Sequence, residues 1–415
     1  MRLAIWSACF GALAQVAVSD SSLVILYADM IGGSRFISLC TTSLQQMSVF
    51  VLFIPVAFLA TRIGKKKLIL PATSIAVCGL GLAVVAPVFE NRAVLVLMIG
   101  LSIFSVAIAF YVAAWFPMLR DIVPSDRRGN FFAKMRMSWQ GSVVVFLIIS
   151  ALILRWNTSL LVLQLLIAFV GVMLIGRFVC IAKIPETPPS KEHIPLRESL
   201  SKVFSDGKLM GFGTYLFWLY AFAGATIPVV ILMAKLQLKL KDDFIVLLSS
   251  CLMIGSIVGF FLGGKMVDRR GTKSVFLLGH FAFGILNMSL LFVHASSPFS
   301  MGLLIAIVTL YGMVFAAASI AVSSEAFALV KPRYSEIGLA VCLGLYSAGI
   351  GFSRFLAGWV LDSGMLSNSW EFFGIPMSQY HTLFFLFGVG VIVTCVLLVM
   401  VPAVVASSRS IPEVR

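Results

Sequence analysis

The sequence predicts an all-α, polytopic membrane protein of twelve transmembrane helices, arranged as two six-helix pseudo-repeats. Three observations predict it: apolar runs too long and too many for a soluble core, basic residues confined to alternate gaps between those runs, and a loop pattern that recurs at a fixed offset. Of 415 residues, 60% are hydrophobic and 12% are charged, and the mean hydropathy is +1.06. A soluble chain carries roughly 25% charged residues to cover its surface. A chain with half that fraction places most of its outer surface against lipid, where a backbone in runs of this length is satisfied only as helix.

The runs fall at about 3–28, 36–60, 68–88, 93–118, 131–154 and 159–181, then at 209–235, 244–267, 274–294, 300–323, 337–362 and 381–405. With both termini cytoplasmic, the inside segments hold 24 of the 31 lysines and arginines and the outside segments hold six, with Arg354 inside a span. That asymmetry sets the orientation expected of a multi-pass plasma (inner) membrane protein. It also accounts for the net charge of +14 without a basic patch, so no nucleic-acid partner is expected. The first run lacks a small-residue cleavage site after a short core and reads as a retained span.

The seven cysteines are scattered singly, there is no CxxC, and four dispersed histidines offer no ligand spacing. Neither a metal nor a cofactor is expected. The expected partners are the lipid bilayer and a small-molecule substrate, with the chain acting as a monomer.

The halves repeat. Ala57-xxx-Thr61-Arg62-Ile63-Gly64-Lys65-Lys66 aligns with Gly264-xxx-Asp268-Arg269-Arg270-Gly271-Thr272-Lys273 at an offset of 207, and the same offset carries residues 3, 93 and 131 onto 210, 300 and 338, each the start of a span. The expected division is an N-terminal half at 1–181, a cytoplasmic linker at 182–208, a C-terminal half at 209–405 and a tail at 406–415. Within the linker, Leu196, Leu200, Val203 and Phe204 have the spacing of a short amphipathic helix. Two parallel halves are an architecture of secondary transporters, with the substrate site near mid-membrane between them.

At these residues the chain resembles the major facilitator superfamily, whose most widespread loop motif is G-x-x-x-D-R-x-G-R/K-R/K. The second copy, Gly264 to Lys273, is nearly complete. The first keeps Arg62, Gly64 and the basic run but has Ala57 and Thr61 where glycine and aspartate are usual. A third stretch, Trp115-xxx-Leu119-Arg120-Asp121-Ile122-Val123-Pro124-xxx-Arg128-Gly129-xx-Phe132-xxx-Arg136, resembles a bacterial branch of that superfamily with no assigned substrate. The resemblance implies that Gly264, Asp268, Arg269, Gly271 and Lys273, with the remnant at Arg62 and Gly64, form a gating latch on the cytoplasmic side. The fourth span has no arginine followed by Gln-Gly, and the fifth lacks the Gly-Pro pair of drug/proton antiporters, so that machinery is not expected.

Ionisable groups in hydrocarbon are costly, so those within spans are functional candidates. Asp20 and Arg354 each lie 17 residues into an outward-running helix, a rise of about 25 Å at 1.5 Å per residue. Equal depth permits pairing, as an outer gate or as a proton and substrate site. Gly11, Gln15, Ser19 and Ser22 share one face of the first helix. The second helix offers Gln45 and the seventh Tyr220, with Pro228 able to bend the latter. The candidate substrate or proton site is therefore Asp20, Gln15, Gln45, Tyr220 and Arg354, with no catalytic residue.

The resulting expectation is a secondary transporter of a small organic solute working by alternating access, with Asp20 a candidate for proton coupling. The alternatives are a transport-inactive sensor or anchor on the same fold, to which the missing first-half aspartate points, and an exporter of amphipathic compounds. A membrane enzyme would need clustered His, Asp, Glu or Ser in one region of the spans; within the predicted spans no His-Glu-x-x-His, paired aspartates or Gly-x-Ser-x-Gly occurs.

Overall fold

The computed structural model describes residues 1–123, 128–185, 195–294, 298–330, 334–367, 369–372 and 374–400. Residues 186–194 of the linker, which include Pro188 and Pro189, residues 124–127 of the third stretch, and the tail lie outside the described residues, as do the side chains of Arg120, Asp121, Arg128 and Gly129. The helices are α1 (Arg2–Ser19), α2 (Leu23–Met30), α3 (Arg35–Ile63), α4 (Lys65–Val85), α5 (Ala93–Ile122), α6 (Arg128–Trp156), α7 (Leu160–Ala182), α8 (Leu196–Phe204), α9 (Gly207–Ala223), α10 (Thr226–Leu232), α11 (Asp242–Ser289), α12 (Pro298–Leu329), α13 (Ser335–Asp362) and α14 (Gln379–Met400). Among the described residues, ten continuous stretches are long and apolar enough to cross a membrane; the two longest, at 55 and 51 residues, contain α4 with α5 and the two arms of α11 on either side of Gly271. Twelve spans result.

The repeat is written in the backbone as well as in the loop motif. At the offset of 207 residues, the start of α3 maps onto the start of α11, the end of α5 onto the end of α12, and the start of α6 onto the start of α13. Gly64 and Gly271, a pair at that offset, have φ of 107° and 76°. L-residues with a Cβ are strained there, which explains why this glycine persists in both copies. Gly271 turns the chain inside α11, separating its two spans.

The first span departs from a single helix. The chain leaves helical geometry over Asp20–Ser22, between α1 and α2. Short polar side chains compete locally for backbone groups, and here the Ser21 hydroxyl donates to the Ala17 carbonyl. The seventh span breaks at Gly224–Ala225, between α9 and α10. Pro228 follows four residues after Gly224, and a proline ring clashes with the carbonyl four residues before it. The bend therefore falls upstream of the proline.

A second departure from continuous helix is a two-stranded antiparallel hairpin, β1 (Trp370–Phe372) and β2 (Ile375–Met377), before α14. The Trp370 indole N–H donates to Thr382 Oγ1 at 2.9 Å, seating it on the start of α14.

The chain clusters into two compact units. The first comprises 1–195, 228–250 and 354–363; the second comprises 196–227, 251–353 and 364–415. The first unit is packed around Ala4, Ala8, Tyr111, Trp115, Leu119, Phe131 and Ile181. Small residues let its helices approach closely: a Cβ at Gly79 would lie 2.6 Å from the backbone of α5, as lipid-embedded packing favours. In the second unit, buried polar pairs tie the elements. His280 Nδ1 sits 2.8 Å from the Val391 carbonyl. A carbonyl only accepts, so Nδ1 carries the proton, and Nε2 accepts from the Tyr215 hydroxyl at 2.9 Å. Thr226 donates to Asn287 Oδ1 at 3.0 Å.

Candidate functional site

The break in the first span leaves backbone groups without helical partners, and the first unit supplies them from a distance. A helix end exposes its last carbonyls. At the end of α1 the Ser19 carbonyl accepts from Arg354 Nη1 at 2.7 Å, and the same nitrogen reaches the Thr42 carbonyl of α3 at 2.9 Å. At the start of α2 the Ser22 N–H donates to the Ser249 hydroxyl of α11 at 3.0 Å. Ser19 Oγ donates to Gln45 Oε1 at 2.9 Å, closing the ring of contacts between α1 and α3.

Arg354 Nη2 also lies 3.0 Å from Asp20 Oδ1. The two candidates matched by depth are thus in direct contact. Magnitudes separate the roles of that contact. The Asp20 side chain is 40% exposed while that of Arg354 is 6% exposed. An ion pair with one partner so open to its surroundings is worth about 0–1 kcal/mol. Each charge-assisted hydrogen bond to a buried carbonyl is worth roughly 1.5–3 kcal/mol, and a cation at a helix C-terminus adds about 0.3–1 kcal/mol. Arg354 is held chiefly by the two carbonyls, and Asp20 is the partner that can change without dismantling the joint.

Other charges sit near the same unit. Lys235 pairs with Asp242 at 2.6 Å. Arg35 Nη1 donates to the Leu361 carbonyl at 3.3 Å, and the Phe36 N–H donates to Asp362. The start of α3 and the end of α13 are thereby fastened, with Phe36 edge-on against Phe355 at 5.1 Å.

The remaining expected residues are distributed differently. Gln15 lies one turn before Ser19 on α1, its Nε2 buried without a hydrogen-bond partner among the described residues. Tyr220 belongs to the second unit, where it is fully buried and packs edge-on against Tyr346 and Phe315. It does not join the ring around Asp20. In the loop motif, Asp268 and Arg269 are exposed and Gly264 and Lys273 half-buried. A Cβ at Gly264 would meet nothing within 4 Å, so only Gly271 is demanded by the turn. Thr272, within the motif, donates to the buried Glu325 carboxylate at 2.5 Å.

In the first copy, Thr61 bonds back to its own helix at Phe58, and Arg62 lies over the Phe58 ring at 4.5 Å. Lys66 donates to the carbonyls of Ala182 and Ile184 at 2.7 and 2.8 Å, a cation on the C-terminus of α7 where the dipole favours it.

Sequence reasoning misplaced one residue. The 24 inside cations of the sequence reading include Arg177, which is 2% exposed and lies within α7. Its guanidinium carbon sits 3.8 Å from the centroid of the Tyr111 ring of α5. A basic residue five positions before the end of a span looks like an orientation signal. The available clue was that Lys183 already marks the end of that span.

Comparison with known proteins gives a consistent picture. The Major Facilitator Superfamily model matches residues 5–326. No protein of curated annotation matches by sequence. Among solved structures, the chain is similar to the nucleoside transporter NupG, with TM-score 0.70 at 14% identity over 96% of this chain and 99% of that one. It is similar to a D-xylose-proton symporter, with TM-score 0.73 at 12% identity over 95% and 96%. It is also similar to the partially occluded inward-open xylose transporter XylE from E. coli, with TM-score 0.72 at 10% identity over 96% and 98%.

Proposed function

The chain belongs to the Major Facilitator Superfamily, and from that premise we propose that it carries a small organic solute by alternating access, coupled to protons through Asp20. One observation carries the reading: Arg354, from the second repeat, is seated on the broken first helix of the first repeat and touches Asp20 there. A change of charge at Asp20 alters the joint between helices of the two repeats. With both termini in the cytoplasm of an inner-membrane protein, this joint lies toward the outside and the latch motif toward the inside. The fastenings Arg35–Leu361, Phe36–Asp362 and Ser22–Ser249 support a state closed on the outside. Asp268 and Arg269, exposed in that state, re-engage when the inside closes.

The mechanism follows from the atoms. A proton on Asp20 removes its negative charge and leaves Arg354 held by the Ser19 and Thr42 carbonyls. Separation of α13 from the α1 break then costs the hydrogen bonds without an ion pair added to them. Release of the proton restores attraction between Asp20 and Arg354 and returns the joint. A solute bound near Gln15 and Gln45 is exposed to one side at a time.

The test is counterflow in proteoliposomes, using a solute first selected because it raises the melting temperature of the purified protein. Counterflow that Asp20→Asn preserves, together with loss of proton-driven accumulation, is the expected result. A solute that binds and is not exchanged would replace this reading with a sensor or anchor.

A further inference from the structure

We propose that Arg177 holds an oxyanion of the transported solute, a carboxylate or a phosphate, with Gln15 as a second donor; this rests on the carrier reading above. Arg177 is a buried cation with no carboxylate within ion-pair distance and no hydrogen-bond acceptor among the described residues. Its one recorded partner is the face of Tyr111, and its Nε is buried without an acceptor. Leaving an arginine buried and unpaired is costly, and intramembrane charges that persist despite that cost mark substrate or ion pathways.

Two residues pack directly against the guanidinium. Tyr111 covers one face and is itself stacked on Trp115 at 5.3 Å. Gly11 of α1 lies against it so closely that a Cβ there would fall 1.6 Å from Cζ, Nε and Nη2. Glycine at this position therefore makes the room the guanidinium occupies. A side chain leans toward the N-terminus of its helix, which on α7 takes Arg177 away from Ala182 and deeper into the bundle. Gln15 follows Gly11 by one turn, and its buried Nε2 also lacks an acceptor.

Both orphan groups are donors. Arginine only donates, and its planar fork matches carboxylate and phosphate in a bidentate manner; the Gln15 amide can add one N–H to the same acceptor. A neutral solute would leave the charge uncompensated. The structure thus separates two tasks: Arg354 caps a helix and answers to Asp20, whereas Arg177 has no carboxylate to answer to among the described residues and rests on the Tyr111 ring.

The experiment measures melting temperature and binding of the full-length purified protein with benzoate, its neutral isostere benzamide, and inorganic phosphate. Benzoate, phosphate or both should stabilise the wild type, and benzamide should not. Stabilisation by benzoate alone assigns a carboxylate, and by phosphate alone a phosphate group. Arg177→Gln should weaken anion binding by about tenfold or more, the loss of a charged hydrogen-bond partner. The apoprotein should be no less stable, since an unpaired charge is removed. Gly11→Ala should also weaken binding, and it decides the matter if Arg177→Gln cannot be purified folded.

Equal stabilisation by benzamide and benzoate, no response to either anion, or anion binding unchanged in both variants overturns the proposal. Anion binding without counterflow of radiolabelled benzoate keeps this site and removes the carrier reading. Counterflow of a neutral solute, unaffected by Arg177→Gln, does the reverse.

Discussion

Ser22, which caps the start of α2, and Ser249 of α11 meet hydroxyl to hydroxyl, with Ser249 Oγ donating to Ser22 Oγ at 3.2 Å while accepting from the Ser22 N–H. The two residues are 227 positions apart and come from different repeats. With the hydroxyl oxygens 3.2 Å apart, cysteines at both positions bring their sulfurs close to one another. The double variant Ser22→Cys, Ser249→Cys should cross-link under mild oxidant and stop exchange, with activity returning on reduction. Full exchange by the cross-linked protein would show that α2 and α11 need not separate.

Asp20 and Arg354 should respond unequally to mutation. Asp20→Asn should change stability by no more than about 1 kcal/mol, because the carboxylate is 40% exposed and its ion pair is screened. Arg354→Gln should cost roughly 2–4 kcal/mol through the carbonyls of Ser19 and Thr42, visible as a lower melting temperature. In transport, Asp20→Asn should erase pH dependence and concentrative uptake while leaving exchange in part. Arg354→Gln should shift the pH profile. Uptake by Asp20→Asn that matches the wild type at every pH would make Asp20 structural.

The loop copies should differ in mechanism and agree in backbone. Gly64→Ala and Gly271→Ala should each destabilise by about 1–2 kcal/mol, since both glycines hold positive φ that an alanine adopts only with strain. Asp268→Asn should strongly slow transport with folded protein retained, and Thr61→Ala should be mild. Identical behaviour of those two would remove any special role for the complete copy.

Topology is checked with a membrane-impermeant maleimide on intact cells. Ser367→Cys, an exposed position before the hairpin, should label from outside, and Ser201→Cys, exposed on α8, should not. The reverse pattern would invert the orientation read from the lysines and arginines.

The repeat was legible because it is encoded locally: an apolar run, a glycine and a basic cluster recur 207 residues apart. The depth argument that matched Asp20 with Arg354 also needed only helix rise. The interruption at Asp20–Ser22 was not legible, because the groups that stabilise it come from Thr42, Ser249 and Arg354, far along the chain. Arg177 was hidden by a coincidence of position, since orientation signals and buried cations both sit near span ends. The hairpin at Trp370–Met377 lies in a stretch whose periodicity is too short to separate a strand from a loop.

The turn at Gly64 and Gly271 also bears on how relatives of either half are recognised. The two copies share the glycine while differing at Ala57 against Gly264 and at Thr61 against Asp268. Within a single molecule, backbone shape is common to both copies where the charged side chain three residues before it is not. Searches for distant cousins of either half would then recover more of them by weighting a glycine ahead of a basic run than by requiring the aspartate, and a lost aspartate would be poor grounds for rejecting a candidate.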